Sequence, residues 1–329
     1  MIAGSMAVAT PAWARALAAA VTDPQELLAL LKLPEDKACP AGFPLRVPRG
    51  YVARMRPGDL EDPLFRQVWP AGAEAQVVTG YGPDPVGDRA ACRAPGLLQK
   101  YAGRALLSLT GACAIHCRYC FRRHFPYGEE NPLGHAWPGT LAALRQIENL
   151  REVILSGGDP LMLSDARLAA VVSDLQALPG LRRLRIHTRL PVVLPERVDT
   201  PFCTWLAGLA VPVVIVLHAN HAQELNGEVL SACRALTAAG ATLLNQSVLL
   251  KGVNDSAAVL AALSEALFDA GVLPYYLHQL DPVAGAAHFA VPDDRARALN
   301  AELAGLLPGY LVPRLVREIP GMRSKTAVC

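Results

Sequence analysis

Three cysteines fall within eight residues, in the run Cys113-Ala-Ile-His-Cys117-Arg-Tyr-Cys120. Thiolates at this spacing suit an iron–sulfur cluster, and a 4Fe-4S cluster normally takes four of them. Held by three, it keeps one iron free for an exogenous ligand, so it can do chemistry as well as carry electrons. Two plainer readings use the same residues. Zinc accepts close-set thiolates, with His116 or His124 as a fourth ligand, but zinc motifs usually come as two separated pairs, and no second pair lies nearby. The third reading is three buried thiols with no metal, which so tight a grouping disfavours.

Further polar residues follow short apolar runs. Ser156-Gly-Gly-Asp-Pro160 places two glycines where backbone can approach closely, beside an acid able to meet an ammonium. By itself it also reads as a strand-to-helix turn with Asp159 as the helix cap. Arg185-Ile-His-Thr-Arg189, His218-Ala-Asn-His221, Asn245-Gln-Ser247, and His278 with Asp281 repeat the arrangement. One such residue is ordinarily a satisfied buried group. Many together predict a wet, preorganised pocket.

These residues need a scaffold with strand ends on one side. Apolar runs at 105–109, 153–155, 184–187, 213–218, 242–250 and 275–280 read as strands. Amphipathic stretches at 140–150, 164–178, 196–209, 222–239, 257–270 and 293–306 read as helices. Such alternation predicts an α/β fold with a parallel sheet and right-handed crossovers. Six units are fewer than a closed barrel's eight, so the expected fold is a partial (β/α)6 TIM-type barrel with its ligands at the carboxyl ends of the strands. Residues 1–100, helical pieces broken by Pro- and Gly-rich loops, read as a mainly helical N-terminal extension, and 101–329 as the barrel. The tail 310–329 reads as an extended segment and a turn.

Composition bounds the function. The chain is 52% hydrophobic and 18% charged with a formal charge of +2, enough for a sizeable core and too near neutral for a general nucleic-acid surface. No apolar run reaches the ~18 residues of a membrane span. Residues 1–21 are alanine-rich, but they lack a basic leading segment and Arg15 interrupts them, so they read as part of a helix and not as a secretory signal. The other five cysteines (Cys39, Cys92, Cys203, Cys233 and Cys329) are scattered, which suits a reducing cytoplasm.

The cysteine segment resembles that of radical S-adenosyl-L-methionine (SAM) enzymes. Over most of its length, from about Arg46 to Lys325, the chain resembles the lysine 2,3-aminomutase family, and within it the short bacterial branch that supplies β-lysine for modification of elongation factor P. The likeness is carried by Leu45-Arg-Val-Pro-Arg49, Pro95-Gly-Leu-Leu-Gln-Lys-Tyr101, Phe121-Arg-Arg-His-Phe-Pro-Tyr127, Ser156-Gly-Gly-Asp-Pro-Leu-Met162 and Arg185-Ile-His-Thr-Arg-Leu-Pro191. It continues in Leu243-Leu-Asn-Gln-Ser-Val-Leu-Leu250, Pro274-Tyr-Tyr-Leu-His278, Gly285-Ala-Ala-His-Phe289 and Gly309-Tyr-Leu-Val-Pro313.

The resemblance implies three cofactors: a 4Fe-4S cluster on Cys113, Cys117 and Cys120, SAM, and pyridoxal 5'-phosphate (PLP). It implies that Ser156, Gly157, Gly158 and Asp159 hold the methionine end of SAM, with His218, Gln246 and Tyr119 as further contacts. Lys325 falls where the family's PLP-bearing lysine lies, although Met322, Arg323 and Ser324 depart from the glycine-rich turn of longer relatives. Lys100, Tyr101 and Arg104 fall where the family meets the cofactor phosphate; as plain residues they make a basic solvated loop. Arg122 matches the clamp for the substrate carboxylate. Asp281 and Glu318 match the pair that takes the distal ammonium of L-lysine, with Glu318 where lysine-specific relatives carry Asp.

The implied reaction moves the amino group of free L-lysine from C2 to C3, with an electron donor protein supplying reducing equivalents. The implied product is β-lysine, which a separate ligase attaches to elongation factor P. Two alternatives stand beside it. One is a catabolic lysine or glutamate 2,3-aminomutase; those enzymes carry a C-terminal oligomerisation extension, and this chain's brevity favours the short branch. The other is a non-catalytic metal-binding barrel protein.

Overall fold

The computed structural model describes residues 10–34 and 42–328. Its described strands form one ten-stranded sheet in sequence order. β1 (Cys92–Ala94) and β2 (Leu97–Leu98) are an antiparallel edge. Seven parallel strands follow: β3 (Arg104–Ser108), β4 (Glu152–Ser156), β5 (Arg183–Thr188), β6 (Val213–Leu217), β7 (Thr242–Val248), β8 (Leu273–His278) and β9 (Arg314–Arg317). β10 (Thr326–Ala327) returns antiparallel to β9. Among the described residues no pairing joins β1 to β10, so the barrel is open, as a partial barrel requires.

Helices between the parallel strands cover the convex side. Four of them begin on a side chain that accepts an orphan backbone N–H: Ser164, Asp199, Asn226 and Ser256 cap Asp165–Gln176, Thr200–Ala207, Gly227–Ala238 and Ala257–Asp269. Such a cap contributes about 1 kcal/mol. In Asp165–Gln176 the buried residues are Leu168, Val171, Val172 and Leu175, the 3.6-residue stripe that packs on a sheet. The expected helices at 196–209 and 222–239 are each broken into a 3-10 turn and a helix, because Asp199 and Asn226 restart the chain as new caps.

The number of parallel strands differs from expectation by one, and the antiparallel β1, β2 and β10 are additional. β9 lies in the tail read as an extended segment, and it pairs with β8 as a seventh parallel strand. The tail then turns at Pro320-Gly321, where Gly321 has φ +81° and Met322 N donates to Ile319 O. Pro followed by a positive-φ glycine makes a type II turn, and it sends β10 back along β9. The N-terminal extension is short helices (Ala12–Ala18, Pro24–Leu30, Arg49–Val52, Pro63–Arg66) linked by loops, and its Val21, Leu27, Tyr51, Leu64 and Phe65 share one core with Leu107, Leu155 and Ile186. Of the helix expected over 1–21, residues 1–9 lie outside the described residues, as do Cys39 and Cys329.

Candidate functional site

Directly after β3 the chain forms the cysteine loop, and β4 lies against it. Gly158 N donates to Thr110 O at 2.6 Å and Asp159 N to Ala112 O at 2.8 Å. A Cβ on Gly157 would stand 2.5 Å from Thr110 O, and one on Gly158 2.4 Å from Ala112 O. Both glycines are therefore required by the approach of one loop to the other. The extension grips the loop from outside. Arg118 and Arg123 both bind Glu74, and both guanidiniums lie over the Phe43 ring.

Two of the thiols are raised by burial and by their neighbours. Burial and then the neighbouring Cys120 push the Cys113 thiol up, and burial followed by Cys117 pushes Cys120 up to about 11. Half-buried thiols that repel as thiolates are what cationic iron stabilises, so this donor set fits a cluster. Among the described residues no three Cys, His, Asp or Glu side chains gather around one point. A 4Fe-4S cluster binds each thiolate at a separate iron and does not need that. The two histidines of the zinc reading have other partners: His116 Nδ1 meets Pro44 O at 2.9 Å and His124 Nε2 meets Ala284 O at 3.2 Å.

Two of the expected SAM contacts already have protein partners. The Asp159 carboxylate accepts from Thr188 Oγ1 (2.8 Å), Arg189 N (2.7 Å), Leu161 N (3.0 Å) and Leu190 N (3.2 Å). Burial still pushes its carboxyl up to about 6. With its carboxylate held by β5 and its own turn, Asp159 positions the two loops. The Tyr119 hydroxyl is spent in the same way. It donates to Gln67 Oε1 at 3.2 Å and accepts from Arg189 Nη1 and Asn220 Nδ2, each at 2.7 Å.

The concave face carries alternate strand residues. His218 Nε2 accepts from Gln246 Nε2 at 2.8 Å, and the His187 and His218 rings meet edge to face at 6.0 Å. Burial pushes His218 down to about 3 and lowers His187 and His278 as well, so all three imidazoles are neutral at pH 7. Buried Nε2 atoms of His187 and His278 have no protein partner.

At the mouth, charged side chains form a chain of ion pairs. Pairing Thr326 with Arg317 brings Lys325 beside Glu318, and Lys325 Nζ donates to Glu318 Oε2 at 2.7 Å. Glu318 Oε1 lies 3.3 Å from Lys100 Nζ, which is 2.7 Å from Asp88 Oδ1. Asp88 Oδ2 accepts from Arg122 Nε at 2.7 Å, and Arg122 Nη1 donates to Ser156 Oγ at 3.0 Å. The chain so links Lys325 to a residue two positions past Cys120. Tyr101 stands beside Glu318 with its hydroxyl pKa raised by burial and then by that carboxylate, and Arg104 lies over its ring at 5.0 Å. Asp281 shares this field. Burial pushes its carboxyl up to about 7 against the pull of Lys325.

Comparison with known proteins decides the family. No family model matches the chain. It is 48% identical over 320 residues to the L-lysine 2,3-aminomutase of Escherichia coli (strain K12), covering 95% of this chain and 93% of that protein. The chain belongs to the lysine 2,3-aminomutase family. It is therefore an enzyme, an isomerase. The Haemophilus influenzae protein of the same name is 46% identical, covering 95% and 94%. That of Clostridium subterminale is 35% identical over 84% of this chain and 67% of its own length. Among solved structures, a radical SAM methyltransferase from Sphaerobacter thermophilus aligns with TM-score 0.48 and 22% identity over 67% of this chain and 68% of that one.

Of the residues singled out for the aminomutase site, Lys325, Glu318, Lys100, Arg122 and Ser156 make one connected set, with Tyr101, Arg104 and Asp281 around it. His218 and Gln246 pair deeper on the concave face. Sequence reasoning missed Asp88, which bridges Lys100 and Arg122, and Glu74, which clamps the cysteine loop. Both come from the extension, and neither sits in a strand-end pattern.

Proposed function

We propose that this enzyme converts L-lysine to β-lysine by moving the amino group from C2 to C3. The cofactors that family membership implies are a 4Fe-4S cluster, SAM and PLP. The observation that supports the reading is the ion chain from Lys325 to Arg122, which connects the residues we assign as the PLP lysine, the carboxylate clamp and an acid for the distal ammonium. When bound, these cofactors supply hydrogen-atom abstraction and an electron sink for the migrating nitrogen.

The chain's own residues supply binding and orientation. Arg122 grips the substrate carboxylate through its guanidinium edge while Asp88 and Ser156 fix its plane. Glu318 and Asp281 take the distal ammonium. Burial opposes ionisation of Glu318, but Lys325 and then Lys100 hold its carboxyl below the ordinary range. Asp281, poised near 7, is drawn into its charged form by the incoming cation. This acidic end favours lysine over glutamate. Lys100, Tyr101 and Arg104 hold the cofactor phosphate, and Lys325 carries the cofactor. Ser156, the Gly157-Gly158 backbone, His218 and Gln246 receive SAM, with neutral His218 able to accept or donate but adding no charge.

The product goes to a separate ligase that modifies elongation factor P, and an electron donor protein reduces the cluster. Likeness to the short branch supports this destination. We place the enzyme in the cytoplasm, where its free thiols are kept reduced. No helix among the described residues is long and apolar enough to cross a membrane. The test is anaerobic: reconstituted, reduced protein with SAM, PLP and isotope-labelled L-lysine yields labelled β-lysine. Turnover of glutamate in preference to lysine would overturn the substrate assignment.

A further inference from the structure

We infer that Arg189 tunes the iron–sulfur cluster, donating a charge-assisted hydrogen bond to the sulfur of Cys117 and so favouring the reduced state. The inference rests on the proposed function, because it needs the cluster on Cys113, Cys117 and Cys120.

Arg189 follows β5, and its side chain is only 5% exposed. Nη1 lies 2.7 Å from Cys117 Sγ and 2.7 Å from Tyr119 Oη. Nη2 donates to Gln67 Oε1 (2.7 Å), Glu224 Oε2 (2.8 Å) and Tyr51 Oη (3.2 Å). The backbone N is held by Asp159 at 2.7 Å. The guanidinium is thus fixed from the cysteine loop, the extension and the loop after β6, and Asp159 holds its backbone. One carboxylate, Glu224, balances its charge. Burying an arginine for packing would need that carboxylate alone; aiming Nη1 at a sulfur does something more.

A thiolate bound to iron carries more negative charge when the cluster gains an electron. A fixed donor at that sulfur therefore stabilises the reduced form more than the oxidised one, and in a dry setting the difference is large. Arg189 touches neither substrate nor SAM in this account, so it is a positioning residue. Its effect is a potential, and Glu224 opposes it by withdrawing part of the guanidinium's charge from the sulfur.

The experiment is an EPR-monitored redox titration of the full chain, reconstituted anaerobically, as wild type, Arg189→Gln, Arg189→Lys and Glu224→Gln. At the wild-type midpoint, Arg189→Gln should show a reduced-to-oxidised ratio about tenfold lower, which for one electron is about 59 mV. Arg189→Lys keeps the charge without the fork and should fall between the two. Glu224→Gln should move the potential the opposite way. A purely structural role would reduce iron content without this pattern of opposite signs. Coincident midpoints, or a positive shift in Arg189→Gln, would overturn the inference. Should Arg189→Gln take up no iron, the sign of the Glu224→Gln shift decides alone: positive supports, zero or negative overturns. Failure of the wild type to assemble a cluster would instead sink the functional reading on which the inference stands.

Discussion

Replacing Asp88 with asparagine removes the carboxylate that holds two cations of the mouth together. Asp88 is 2% exposed and contacts Lys100 Nζ and Arg122 Nε, each at 2.7 Å. Burial alone pushes its carboxyl up; Arg122 and then Lys100 overcome this and hold it at about 2, against an ordinary 3.8. At about 1.36 kcal/mol per tenfold change in acidity, that depression is worth roughly 2 kcal/mol at neutral pH. The folded pKa lies below the unfolded one, so this stability is present above pH 3.8 and is lost as pH falls through 3.8 towards 2. Asp88→Asn keeps the volume but leaves Lys100 with Glu318 as its remaining acid and takes away the carboxylate partner of Arg122. Urea titrations at pH 7 should show the variant about 2–3 kcal/mol less stable, with the gap narrowing below pH 4. The lysine KM should rise, because Arg122 loses the partner on Nε, while iron content stays at the wild-type level. A loss under about 0.5 kcal/mol at pH 7, or an equal loss at pH 3, would refute the reasoning.

Gly158→Ala should stretch the Gly158–Thr110 and Asp159–Ala112 bonds to make room for a Cβ, costing about 1–3 kcal/mol and weakening iron uptake, measured by iron content after reconstitution. Because Asp281 is raised to about 7, it is neutral below that pH, so the lysine KM should fall as pH rises from 6 to 8; Asp281→Asn should flatten that profile. Lys325→Ala should abolish the visible absorbance of bound PLP and its trapping by borohydride, with iron content unchanged.

Much of this architecture is readable along the chain, for physical reasons. The strand-to-helix alternation is local, since period-2 and period-3.6 burial leave their mark on neighbouring residues. The cysteine spacing and the Gly157-Gly158 pair are also local, as both answer to the backbone of one tight crossing. Pro320-Gly321 marks a turn, and with β9 it would have foretold the hairpin that brings Lys325 back to Glu318. What escaped notice is long-range. Glu74 meets Arg118 across 44 residues, and Gln67 meets Glu224 across 157. No periodicity records such partnerships. The partners of Asp159 and Tyr119 are hidden for a related reason: residue type marks a polar group near a strand end but not whether other protein groups already satisfy it.

The most direct test of the account concerns the cluster itself. Electron–nuclear double resonance on the reduced, reconstituted protein, with SAM labelled at its amino nitrogen and carboxylate oxygen, reads whether those atoms bind iron. Three protein thiolates predict strong coupling to both labels, lost in Cys117→Ala along with the cluster. A fully formed cluster showing no coupling to either label would mean that its fourth iron is already occupied, and the proposed chemistry would have no starting point.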